Sequence, residues 1–193
     1  MKSKFTVKRM AMVGIMAALT FAASQISFMI PTAVGNTRLH LGNVLCLMSG
    51  ILLGPLDGGL AAGIGSMFYD FTNPIYISSA PFTLVFKFAM AFVCGKIVWR
   101  SQGQKLNHVG NNVISAAAGA FTYVVLYVAK NFFEDILFLR TEVQTALIDM
   151  AQKGAVSGVN AVLAVAVAVP LAMAVRKGLQ SAGLYPKPAQ KHS

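Results

Sequence analysis

The sequence predicts an all-α polytopic membrane protein, a single domain built as a bundle of six transmembrane helices. Of its 193 residues 56% are hydrophobic and 11% charged, and the mean hydropathy is +0.65, outside the usual range of water-soluble domains. At about 20 residues per span with short connections, a chain of this length holds roughly five to seven helices. The lysines and arginines that give the formal charge of +10 stand at the edges of the apolar runs. Nucleic-acid binders instead cluster basic residues on one soluble face, so charge placement argues for a membrane and against nucleic acid.

The spans are expected at about 7–30, 41–53, 57–72, 80–99, 111–133 and 154–175. The first run, preceded by MKSKFTVKRM, superficially resembles a signal peptide, but it continues to Ile30 without a small-residue cleavage pattern and reads as a retained helix. Pro31 closes it, and TAVGNTRLH is polar enough for a loop. The second span is short and ends in GPLDGG, a turn at which Asp57 suits a helix cap. After the third span, TNPIYISSAP forms a loop with two prolines, and the fourth ends in WRSQGQK. The charged stretch 134–153 has the spacing of an interfacial or extended helical piece leading into the sixth span. Residues 184–193 read as a disordered cytoplasmic tail.

Six spans put Lys2, Lys4, Lys8, Arg9, Lys96, Arg100, Lys105, Arg176, Lys177, Lys187 and Lys191 on one side, eleven of the 16 basic residues. Arg38, Arg140 and Lys153 fall on the other with Glu134, Asp135, Glu142 and Asp149. Both termini are therefore expected in the cytoplasm of a bacterium, with the chain in its inner membrane.

Ionisable residues within apolar runs are costly unless they meet a partner or a water-filled cavity. Asp70, Lys87 and Lys130 are of this kind. Asp70 and Lys87 fall in the outer half, where they meet as an ion pair or Lys87 projects into an outward-facing cavity toward a substrate. Tyr123, Tyr127 and Asn131 recur every four residues, a face able to stack on a planar ring and hydrogen-bond its edge, although Tyr127 also suits an interfacial aromatic belt. Lys130 points elsewhere and is expected to snorkel to the outer headgroups. Asn160 is a lone amide in an apolar run and must face protein, cavity or substrate. With Asp70, Asn73 and Lys87, these residues make a polar lining for one pocket.

Gly14, Ala18 and Ala22 form a stripe of small side chains suited to close helix packing, within the bundle or against a partner. Cys46 and Cys94 lie in apolar stretches without metal-ligand spacing and read as buried packing residues. His40 and His108 fall in opposite loops and His192 in the tail, and no nucleophile and base pair or carboxylate pair emerges. No metal, cofactor or catalytic residue is expected.

The segments LHLGNVLCLMSGILLGPLDGGLAAGIGSMFYDF and APFTLVFKFAMAFVCGKI resemble the substrate-binding S components of energy-coupling factor (ECF) transporters, nearest the riboflavin, hydroxymethylpyrimidine and pyridoxine group. The resemblance implies a six-helix bundle that captures a vitamin or related heterocycle from outside and passes it to a coupling membrane subunit and two ATPases, together an ABC importer. It also implies docking through Gly14, Ala18 and Ala22, and a place near the pocket for Asp70 and Lys87. Asn43 departs from the aspartate of the family pattern. A stand-alone secondary transporter would show internal repeats or ionisable relays, and a membrane enzyme would need a titratable cluster at one face.

Overall fold

The computed structural model describes residues 7–100 and 108–183. Lys2, Lys4, Lys105, Lys187, Lys191, His192 and the tail 184–193 lie outside the described residues. The described chain is 81% helical, in the order α1 (Val7–Ser24), β1 (Ser27–Thr32), β2 (Gly35–His40), α2 (Gly42–Leu53), α3 (Pro55–Phe71), a 3-10 turn (Ile77–Ser79), α4 (Ala80–Trp99), α5 (Val109–Leu137) and α6 (Val143–Ser181). Among the described residues four stretches are long and apolar enough to cross a membrane: α1, the 3-10 turn with α4, α5 and α6. Many large apolar side chains point outward, among them Ile114, Phe121 and Val162 at 66%, 68% and 70% exposure. A surface this apolar is made for lipid.

Small residues fill the interior. Ala61, Ala62, Ala91, Ala116, Ala168 and Ala172 are wholly buried. Close helix approach is what holds a bundle together where lipid removes the hydrophobic drive. At Gly50 a Cβ would stand 2.4 Å from the Ala91 carbonyl oxygen, so the crossing of α2 and α4 leaves no room for a side chain. Between α2 and α3, Gly54 at φ 87° turns the chain, and Pro55 opens α3 where its missing N–H is not needed.

Three expected features are corrected. The first helix stops at Ser24, and the chain to His40 forms an antiparallel hairpin in which Ser27 pairs with His40 and Thr32 with Gly35. Thr20 and Ser24 turn their hydroxyls back on the carbonyls of Met16 and Thr20, and Ser27–Thr32 satisfies its backbone across the ladder, with Pro31 tolerated because the strand has one neighbour. Asp57 makes no side-chain cap and is ion-paired with Arg9. The charged stretch 134–153 is corrected in part: it begins as the end of α5 and turns at Arg140 (φ 50°), and only from Val143 is it the helical extension leading into the sixth span.

The bundle has two unlike ends. Arg9 meets Asp57, and both Trp99 Nε1 and Arg176 Nη2 donate to the Ile51 carbonyl, at 3.2 and 2.7 Å. These contacts gather the start of α1, the α2–α3 turn and the ends of α4 and α6, bringing Lys8, Arg9, Lys96, Arg100, Arg176 and Lys177 to one end. The hairpin, the end of α3, the end of α5 and the start of α6 form the other.

Candidate functional site

At the hairpin end lies a cavity of about 210 Å³. Asn36, Thr37 and Arg38 of β2 border it from one side, and the segment Ile75–Lys87, α5 and α6 border it from the others. Asp70, Lys87, Tyr123, Tyr127, Asn131 and Asn160 all reach it. Asn73 does not: its Oδ1 accepts the Ile75 N–H at 3.3 Å and shapes the turn after α3.

Asp70 and Lys87 do not pair. Asp70 is wholly buried and takes a hydrogen bond from Arg38 Nη2 at 2.6 Å. Arg38 lies between two rings, 4.5 Å from the centre of Tyr69 and 3.8 Å from that of Tyr76. Register explains the exchange, because β2 sets Arg38 beside the end of α3, and a guanidinium stacks on aromatic faces as an ammonium does not. Lys87, 2% exposed, bonds the Asn43 amide oxygen and stands 3.5 Å from the centre of the Tyr123 ring. Its contacts are thus an amide and a ring face, with no carboxylate among them.

Tyr123 and Tyr127 stack with centres 5.7 Å apart and planes at 18°. Tyr127 also joins its hydroxyl to that of Thr37 at 3.1 Å, tying α5 to the hairpin. Asn131 donates to the Tyr127 carbonyl at 2.7 Å and accepts from Lys153 at 3.2 Å. Asn160 is 5% exposed, and its amide makes no hydrogen bond among the described residues although it borders the cavity. Lys130 is corrected: it faces inward, bonded to Ser79 and Glu134, where an anionic neighbour holds it.

Sequence reasoning missed Arg38, Tyr76, Phe82, Phe86 and Ser157, all of which border the cavity. Ser157 was within reach, one helical turn before Asn160 on the same face. Phe82 and Phe86, one turn apart on α4 with ring centres 6.1 Å from each other, gave no signal distinct from lipid-facing aromatics. His40 is buried in the hairpin's base, and burial, with Lys87 and Arg38 nearby, holds its imidazole well below the usual range and neutral. Cys46 and Cys94 are free and buried. Among the described residues no three His, Cys, Asp or Glu side chains gather as metal ligands.

The arrangement suits binding of a planar polar molecule: an ammonium, the free amide of Asn160 and stacked rings around one cavity. On the bundle's flank, Gly14, Ala18 and Ala22 are all exposed, and a Cβ on Gly14 would meet nothing within 4 Å. The stripe is therefore not used for packing within the described bundle, where α1 instead offers Ala17 and Thr20 to Gly65. Gly14 and Ala18 border an apolar surface groove with Ile64 and Phe68 of α3, and Ala22 lies outside its rim.

A family model for the ECF-type riboflavin transporter S component matches residues 4–177. An uncharacterized protein in the gap 3′ region of Pyrococcus woesei is 32% identical over 100 residues, 52% of this chain and 63% of that protein. The match thus spans less than two thirds of that relative. No solved structure matches the chain.

Proposed function

Because this chain belongs to the family of ECF-type riboflavin transporter S components, we propose that it captures a vitamin or related heterocycle, riboflavin, hydroxymethylpyrimidine or a pyridoxine-like ring, in the cavity beneath the hairpin. The family is one of transporter subunits and not an enzyme class. The observation that carries the reading is Lys87, a buried cation bordering the cavity whose direct contacts among the described residues are the Asn43 amide and the Tyr123 ring, the nearby Asp70 carboxylate being bonded to Arg38 instead. An ion left so in an apolar interior is expensive, and a ligand bearing ring oxygens or nitrogens offsets that cost. Tyr123 and Tyr127 would stack on the ring, while Asn131, Asn160 and Asp70 would bond its polar edge.

Delivery would require a coupling membrane subunit and two ATPases, since the chain has no phosphate-cradling GK[ST] loop of its own. Gly14, Ala18 and Ala22 would form the docking stripe, being exposed and small. A thermal-unfolding panel of the purified chain tests the capture. A vitamin at 100 times its Kd adds about 2.7 kcal/mol of stability, and Asn160→Ala should raise the concentration needed for the same shift. If no member of the panel stabilises the protein, the reading fails.

We further propose six spans in the inner membrane of a bacterium, with both termini and the basic end in the cytoplasm, because six of the described basic residues gather there. An impermeant maleimide applied to intact cells should then label Leu139→Cys and spare Ser181→Cys. Labelling in the opposite sense would reverse the orientation.

A further inference from the structure

The cavity, at about 210 Å³, is smaller than the roughly 300–1,000 Å³ of ordinary small-molecule sites. A ring system with substituents therefore enters only when something yields, and the hairpin is the one bordering wall built of strand and not of helix. What holds it down is polar. At its tip, Ala33 N–H donates to Gln152 Oε1 at 2.7 Å and Val34 N–H to Asp149 Oδ1 at 2.8 Å. Lys153 Nζ donates to the Val34 carbonyl at 3.3 Å and pairs with Asp149 at 2.7 Å. One ion pair on the first turns of α6 thus grips both main-chain groups of one hairpin residue.

A second carboxylate adjoins this grip. Asp135, at the end of α5, is 2% exposed, and Asp149 is wholly buried. Lys153 Nζ reaches Asn131 Oδ1 across α5 and α6 at 3.2 Å, Asp135 stands one turn beyond Asn131 and Asp149 one turn before Lys153, so the two helices set these carboxyls side by side, and Asp135 Oδ2 is buried with no hydrogen-bond partner among the described residues. The charged groups acting on Asp135 are Asp149, Lys153 and Glu134, and Glu134 is bonded to Lys130. The hairpin tip brings no ionisable side chain, only Thr32, Ala33 and Val34. Two buried carboxylates against one ammonium leave an excess negative charge away from solvent, which favours a proton on one of them.

We propose that Asp135, Asp149 and Lys153 form a proton-dependent latch: closing the hairpin over the cavity takes up one proton, held on Asp135, while Asp149 stays paired with Lys153 and with the Val34 N–H. When the hairpin lifts, water reaches the cluster, both carboxylates ionise, and the proton leaves. The closed state binds more protons than the open one, so closure strengthens as pH falls and weakens as it rises. Asp135 is on this account a positioning residue that acts on substrate only through the hairpin. The consequence for substrate retention rests on the capture reading above, whereas the latch itself does not.

Hydrogen exchange of the ligand-free, full-length protein in lipid nanodiscs tests the latch without any substrate. After correction for intrinsic rates, protection of hairpin amides 27–40 should fall between about pH 5 and about pH 8, by up to about tenfold per pH unit where the pair titrates. Asp135→Asn, which mimics the protonated form, should stay protected at both values, and Asp149→Asn, which keeps an acceptor for Val34, should also lose the pH response. Equal protection of the wild type at both values, or an unaltered pH response in Asp135→Asn, overturns the latch. A second arm follows riboflavin dissociation by its fluorescence: release should slow at the lower pH in the wild type alone. Release that ignores pH while exchange responds to it overturns the role in retention. Riboflavin that does not bind removes that substrate, and the exchange arm still decides the latch.

Discussion

Replacing Lys87 by methionine should weaken substrate binding by about 10- to 100-fold without lowering the unfolding temperature. A hydrogen bond from a charged group contributes about 1.5–3 kcal/mol, and each 1.4 kcal/mol or so is tenfold in Kd. Most buried lysines are held by a carboxylate, and removing them strands that anion. Here the contacts are the Asn43 amide and the Tyr123 ring, and methionine fills nearly the same space while removing a charge that no carboxylate touches and stranding none, since Asp70 keeps Arg38. Titration calorimetry with the stabilising vitamin, beside thermal unfolding of the ligand-free protein, separates the two effects. If both affinity and unfolding temperature fall together, Lys87 serves the fold and the binding assignment is lost. Unchanged affinity would equally remove Lys87 from the site.

Asp70→Ala should have the largest effect on stability, about 3 kcal/mol. Breaking a buried ion pair from one side costs roughly 3–5 kcal/mol because the remaining charge has no counter-ion. The lower end applies since the Arg38 side chain is 15% exposed while that of Asp70 is 1% exposed. Arg38 would remain between the Tyr69 and Tyr76 rings with no carboxylate, and the hairpin would lose its anchor on α3. Removing both partners together, as Arg38→Met with Asp70→Leu, should destabilise less than Asp70→Ala alone, since no charge is stranded. Denaturation of Asp70→Ala, of the double variant and of its two single substitutions measures this directly. A double variant as unstable as the sum of its parts would show that the pair carries no coupling.

The polar face was legible in the sequence for a simple reason. A polar group in an apolar helix must find protein or cavity, so Asp70, Lys87, Tyr123, Tyr127, Asn131 and Asn160 stood out and do border one cavity. Asn73, in a loop, carried no such constraint and satisfies its own turn. Arg38 was overlooked for the converse reason: an arginine in a polar segment is ordinary until the fold buries it. The same holds for Lys130, whose long stem allows snorkelling or an inward turn, and only Glu134 and Ser79 decided between them.

Residence in a membrane, the approximate helical segments and the clustering of basic residues outside the apolar runs follow from the sequence by itself, because hydropathy is a local property summed along the chain. Tertiary structure alone decided that the first helix yields to a hairpin, that Asp70 takes Arg38 and leaves Lys87 to an amide and a ring, and that Asp149 and Lys153 grip Val34. Those outcomes depend on which charges strand register and helix crossings bring within a few ångströms of each other, at separations of 32 residues for Arg38 and Asp70 and 115 for Val34 and Asp149. Hydropathy carries no such information, since it records how much each residue resists burial but not the partner that makes burial possible.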